Sequence, residues 1–250
     1  MKPDAQQLFG RTRLLVGDDS MAKLAEVRVI LFGAGGVGSW CAEALVRSGV
    51  VHLCIVDPDM VAASNVNRQA MATTRTIGRP KVEAMRERLL DISPDAEIDA
   101  IQMAYTPETA SRFDLGAYDY IIDAVDSLSN KAELILNASK SGSKFFSSMG
   151  AALKLDPTRV KVAEFWNVRG CPLGAALRKR FRKHGTLPAG EFLCVYDDEV
   201  LPMKGENPGG TGSAAGGMDA GKAQINGSMA PVTGIFGFTL AGLVLKDLLV

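Results

Sequence analysis

Six residues decide most of what this chain can fold into: Gly33-Ala34-Gly35-Gly36-Val37-Gly38. They follow a β-rich apolar run at 27–32 (VRVILF). They lead into SWCAEALVRSGV, where Trp40, Ala44 and Leu45 have helical spacing. A second buried-strand pattern, LCIV at 53–56, ends at Asp57. The unit reads β-turn-α-β. A GxGxxG turn placed there suits phosphate. The first glycine permits the tight bend, and the second lets the backbone approach an anion. The helix start supplies free N–H groups and a positive dipole end. Asp57, at the end of the next strand, is placed to accept ribose hydroxyls. The motif alone does not separate NAD from ATP.

The same alternation continues. Residues 79–91 read as an amphipathic helix, with Val82, Met85, Leu89 and Leu90 on one side and Pro80 in its first turn. Strands are expected at 98–103, 118–126 and 144–148, with a helix at 131–141 between the last two. The predicted fold is therefore α/β, a Rossmann-like, doubly wound and mostly parallel sheet. After about Gly150 the pattern changes to an expected antiparallel C-terminal half, with strands at 160–166 and 192–196 and a helix at 173–183. Residues 204–228 are rich in Gly and Ser and carry almost no large apolar side chains, so they are expected to form a flexible crossover loop. The chain reads as one domain over 1–250, with a nucleotide half at about 9–150 and a substrate half at about 151–250.

Composition excludes several chemistries. Lys plus Arg and Asp plus Glu both number 28, so an anionic partner must be held by a local basic patch. The four cysteines, Cys41, Cys54, Cys171 and Cys194, form no CxxC pair. A zinc knuckle and a disulfide scaffold are both disfavoured, and a reducing, cytoplasmic setting is expected. The two histidines, His52 and His184, rule out HExxH zinc chemistry. Met1 to Asp19 is polar and reads as no secretory signal. Residues 229–245 are apolar but interrupted by Pro231 and glycines, so a buried helix is preferred over membrane contact.

Downstream of Asp57 lie Asp59, the run Ser64-Asn65-Val66-Asn67-Arg68-Gln69, and Gly78-Arg79-Pro80-Lys81. A nicotinamide enzyme has no need for such a cluster of Asn, Arg and Lys beside its glycine turn. Adenylyl transfer does need it, because charge builds on the leaving pyrophosphate. Arg68 and Lys81 are the candidates to stabilise that charge.

DPDMVAASNVNRQ, with GAGGVG upstream and GRPK downstream, resembles the ATP-binding core of the ubiquitin-activating, molybdopterin-synthase-activating and thiamine-thiolation (ThiF-like) adenylyltransferases. The resemblance implies that Gly33, Gly35, Gly36 and Gly38 wrap the ATP phosphates. It assigns Asp57 to the ribose and Asn65, Arg68 and Lys81 to the phosphates. Asp59 and Gln69 of the same motif join the nucleotide-binding set. Asp126, in DAVDS, would hold Mg²⁺ near the α-phosphate. Arg11, in FGRTRLL, resembles an arginine that dimers of this superfamily insert into the neighbouring subunit's site, with Arg13 as the alternative. A homodimer follows from that reading. Asp123 reads as a strand-end residue, with support of the site from one step behind as the alternative.

Relatives that activate the C-terminal glycine of a ubiquitin-like or sulfur-carrier protein usually carry two CxxC pairs and often a cysteine in the crossover loop. This chain has neither. Its second half, with Asp156-Pro157-Thr158, Cys171-Pro172-Leu173, CVYDDE and NGSMAPVTGIFGF, resembles the tRNA threonylcarbamoyladenosine dehydratase family. That resemblance implies ATP-dependent cyclisation of the threonylcarbamoyl group on a tRNA adenosine. An intramolecular nucleophile replaces an enzyme thiol there. The alternative is adenylation of a sulfur-carrier or ubiquitin-like protein, and a sulfur-relay partner is left open. Arg178, Lys179, Arg180, Arg182 and Lys183 form the densest basic run and are the expected tRNA contacts. Phe181, within that run, suits either a core anchor or a base stack. Phe9, Trp40 and Trp166 read as core.

Overall fold

The computed structural model describes residues 5–205 and 226–250. Three helices, α1 (Ala5–Leu8), α2 (Gly10–Val16) and α3 (Asp18–Glu26), precede the sheet. The polar sequence there hides them. α3 is favoured by Asp18 and Asp19 in its first turn, where the helix dipole attracts negative charge, and by Leu24, which is buried. The next elements are β1 (Arg28–Phe32), α4 (Gly38–Arg47), β2 (His52–Val56), α5 (Lys81–Ile92), β3 (Glu97–Ile101), β4 (Tyr120–Asp123), α6 (Leu128–Ala138) and β5 (Lys144–Ser148). β6 (Lys161–Glu164), α7 (Pro172–His184), β7 (Leu193–Tyr196) and α8 (Ala230–Leu249) follow among the described residues. Pro80 caps α5 from just outside it. Of the run at 118–126, only Tyr120–Asp123 is strand, because the chain turns away at Asp123.

The seven strands of the described residues form one sheet in the order β3-β2-β1-β4-β5-β7-β6. β1 pairs in parallel with both β2 and β4, so the strand order reverses at β1, which marks the binding crevice of such sheets. The antiparallel character expected beyond Gly150 is confined to the edge, where β6 runs against β7. β7 itself continues parallel to β5, because α7 carries the chain back across the sheet before β7 begins.

Alternation along β1 divides the core. Val29 and Leu31 face a layer with Cys41 and Leu45 of α4, Met85 of α5 and Phe236 of α8. Ile30 and Phe32 face Leu134 and Ile135 of α6 and Phe181 of α7. α8 buries Val232, Phe236, Leu240 and Val244 along one face, at about 1.5–3 kcal/mol for each large side chain. The helix is long and apolar enough to cross a bilayer, and Ile235 and Phe238 stay exposed on its other side. Gly237 lets α8 press on α4, since a Cβ there would stand 2.5 Å from the Val37 carbonyl oxygen.

Most of the expected crossover loop, residues 206–225, lies outside the described residues. Its flanks are tied to Leu153, whose N–H donates to the Gly227 carbonyl (2.9 Å) and whose carbonyl accepts from the Leu201 N–H (2.8 Å). Making both bonds places Leu153 at φ 60°, the one positive φ outside glycine among the described residues.

Candidate active site

The turn after β1 is shaped by contacts that only glycine tolerates. Gly33 has φ 94°, and a Cβ there would stand 2.6 Å from the Ala124 carbonyl oxygen. A Cβ on Gly38 would lie 1.8 Å from the Gly33 carbonyl oxygen. Gly35 differs: nothing among the described residues lies within 4 Å of its Cβ position. Gly33 and Gly38 therefore build the turn, and Gly35 keeps one side of it open. Open backbone at a helix start fits a phosphate.

Asp57 braces this turn from the end of β2. Its Oδ2 accepts the Ala34 N–H at 2.7 Å, and its Oδ1 accepts the Asp59 N–H at 2.9 Å. Two acceptor positions remain for a sugar hydroxyl. Burial pushes the Asp57 carboxyl above its ordinary range, while Lys81 and the two backbone donors pull it back. Lys81, itself buried, gives its Nζ to Asp59 Oδ2 at 2.7 Å and lies 3.8 Å from Asp57 Oδ1. Asp57, Asp59 and Lys81 are thus one cluster, with the lysine engaged by acids.

The Asn-Arg stretch folds over the turn. Asn65 caps its own short helix by accepting the Ala62 N–H (2.9 Å) through Oδ1. Arg68 packs its Cγ 3.2 Å from the Cβ position of Gly36, and its Nη1 donates to the Ser64 carbonyl (2.8 Å) and Asn67 Oδ1 (2.9 Å). Gln69 is buried, and its side-chain oxygen lacks a donor among the described residues. Asp126 is exposed just after β4, with no hydrogen bond or ion pair among the described residues. The open Gly35, the braced acid and the adjacent guanidinium fit an adenosine phosphate. The free Asp126 carboxylate fits a hard cation such as Mg²⁺.

Three contacts escaped the sequence reading. Trp40, taken as plain core, donates its Nε1–H to the Arg68 carbonyl at 2.9 Å. Thr233 of α8 packs 3.2 Å from the same Gly36 Cβ position. Asn67 Nδ2 donates to the Ser228 carbonyl at 2.8 Å. The last two join segments more than 150 residues apart, so no local spacing announces them. Lys131, also unnoticed, is fully buried beside Asp123.

Arg11 is exposed on α2 and has no hydrogen bond or ion pair among the described residues, whereas Arg13 pairs with Asp18 at 3.2 Å. On α7 the basic run splits. Lys179, Arg180, Arg182 and Lys183 are exposed. Arg178 instead turns inward, donating to the Phe165 carbonyl (3.2 Å) with its guanidinium over the Phe165 ring. Arg182 lies over Trp166, and Phe181 is a core anchor against Phe165. All four cysteines are buried and unpaired by disulfide. Burial pushes the thiols of Cys41 and Cys194 up strongly and that of Cys54 to about 11.

A mostly parallel sheet with a glycine turn, a strand-end acid and an arginine at the strand-order reversal defines a nucleotide-binding α/β enzyme. The ThiF family model matches residues 9–249, and the chain belongs to the ThiF family. It is 36% identical over 241 residues to the tRNA threonylcarbamoyladenosine dehydratase of Bacillus subtilis, covering 96% of this chain and 94% of that protein. The E. coli tRNA N6-threonylcarbamoyladenosine dehydratase solved with ATP superposes with a TM-score of 0.84 at 31% identity, covering 99% of this chain and 96% of that one. The same enzyme solved with AMP gives a TM-score of 0.86 at 30% identity, with the same coverage.

Proposed function

We propose that this chain is an ATP-dependent tRNA threonylcarbamoyladenosine dehydratase, working in the cytoplasm. The substrate base carries a free carboxylate, and carboxylate oxygen is a poor leaving group. One carboxylate oxygen attacks the α-phosphate of ATP, forming an acyl-adenylate and expelling pyrophosphate. A ureido atom of the same substituent then attacks the acyl carbon and loses its proton. The ring closes and AMP leaves, so the base has lost one water.

The glycine turn and the α4 start would cradle the phosphates, with Asp57 on the ribose. Arg68, beside Gly36, offsets charge on the departing pyrophosphate. Lys81 reaches the same region from its acid cluster. Mg²⁺ held by Asp126 would neutralise phosphate charge when bound. The exposed cations of α7 suit tRNA phosphates. A second copy of the chain would cover Leu14 and Leu15, which are 89% and 85% exposed beside Arg11, and would bring that arginine to the neighbouring site.

The observation that carries the reading is that a chain with a crevice fitted for adenylation keeps every one of its cysteines buried. A carrier-protein activator that works through a thioester or persulfide needs a reachable thiolate. Ring closure within the substrate needs none. The test is AMP and pyrophosphate release on mixing the protein with ATP, Mg²⁺ and threonylcarbamoylated tRNA. Release that requires the modified tRNA supports the reading. Release driven instead by a diglycine-ending carrier protein contradicts it.

A further inference from the structure

Lys131 and Asp123 are the one fully buried ion pair among the described residues, with both side chains at 0% exposure and Nζ 2.7 Å from Oδ2. Such a pair is a poor source of stability. Its desolvation cost rivals its attraction, and well-packed neutral side chains often do as well. Its bonding pattern points to another use. Asp123 Oδ2 also accepts the Ser147 hydroxyl from β5 (2.7 Å), which fixes the carboxylate against the neighbouring strand. Asp123 Oδ1 accepts the Val125 N–H (3.0 Å), and Lys131 Nζ donates to the Val125 carbonyl (2.8 Å). The pair therefore grips both polar groups of Val125. The next residue in the chain is Asp126. On the other side of the turn, the Ala124 carbonyl abuts Gly33 so closely that a Cβ there would clash, so the gripped turn also rests on the glycine loop.

We propose that Asp123 and Lys131 are positioning residues that set where the Asp126 carboxylate meets the nucleotide-bound metal. The carboxylate that would carry the metal has no hydrogen bond or ion pair of its own among the described residues, so its place is set through the backbone. This rests on the reading of Asp126 as the Mg²⁺ ligand. Removing partners one step behind a metal ligand typically costs roughly 10- to 100-fold in metal affinity.

The test measures equilibrium binding of α,β-methylene ATP with and without Mg²⁺, which reads metal coupling without turnover. Three variants are compared with the unaltered protein: Asp123→Asn with Lys131→Met, Asp123→Asn with Lys131→Gln, and Asp126→Asn alone. The methionine pair removes the charge and the donor to Val125. The glutamine pair removes the charge and keeps a donor. The methionine pair should fold, bind the analogue normally without Mg²⁺, and lose roughly 10-fold or more of the Mg²⁺ enhancement. The glutamine pair should recover part of it. A folded methionine pair with full enhancement overturns the proposal. Failure of the methionine pair to fold also overturns it, because the ion pair would then serve stability. If Asp126→Asn keeps full enhancement, the metal-ligand reading fails instead.

Discussion

Gly35 and Gly38 belong to one motif but sit in opposite environments, and that contrast separates turn-building from ligand-holding. Gly38→Ala places a methyl 1.8 Å from the Gly33 carbonyl oxygen, an overlap with backbone that no rotamer relieves. Overpacking of this kind costs about 1–3 kcal/mol. For a chain of this size that lowers the melting temperature by about 2–12 °C. Gly35→Ala meets no atom of the described residues within 4 Å, and Gly35 is not at positive φ. Its stability should be unchanged or raised by about 0.4–1 kcal/mol through lost unfolded-state entropy. The methyl would occupy the side of the turn left for phosphate. Losing one charge-assisted backbone bond costs about 1.5–3 kcal/mol, or roughly 10- to 150-fold in ATP affinity. Thermal unfolding and equilibrium ATP titration on the two variants measure both quantities. A Gly35→Ala protein that binds ATP normally would refute the assignment of that open side to phosphate.

Replacing Lys179, Arg180 and Lys183 together by alanine should weaken tRNA binding and reduce the log–log salt slope by roughly 2–3, checked by binding titrations at several salt concentrations. Arg178→Ala should lower the melting temperature more than it lowers tRNA affinity, since its guanidinium is spent on Phe165. The native protein should resist thiol-specific reagents at all four cysteines until it unfolds, and Cys171→Ser and Cys194→Ala should keep AMP formation; rapid native labelling with loss of activity would restore the thiol-dependent reading. Hydrogen bonds from Lys161 and Arg159 hold the Asp198 carboxyl well below its ordinary value of 3.8. Its stabilising effect is therefore present above that value and fades as pH falls through the lower folded one, so Asp198→Asn should flatten the acid limb of a stability–pH curve below about pH 4.

Much of this fold is legible because its signals are local. Strands β1, β2, β4 and β7 leave apolar runs, and the glycine turn announces its own helix. The site is legible where a motif is contiguous, as in Asp57 to Gln69. It is not legible where chain ends converge. Thr233 reaches Gly36 only because Gly237 lets α8 lie on α4, and that approach needs the assembled core. Arg178 and Arg182 look equivalent on a helical wheel, yet one turns inward to Phe165 and the other lies over Trp166, a choice made by β6 and the short helix after it. Helix α2 escapes because Leu14 and Leu15 face outward and leave no amphipathic stripe toward this chain's own core.

Nucleoside mass spectrometry tests the central claim most directly. Threonylcarbamoylated tRNA is incubated with the protein, ATP and Mg²⁺, digested gently, and compared with a reaction lacking ATP. The modified adenosine should be converted to a species lighter by one water, only where ATP is present. A nucleoside unchanged in mass, from protein shown to be folded and to bind ATP, would contradict it.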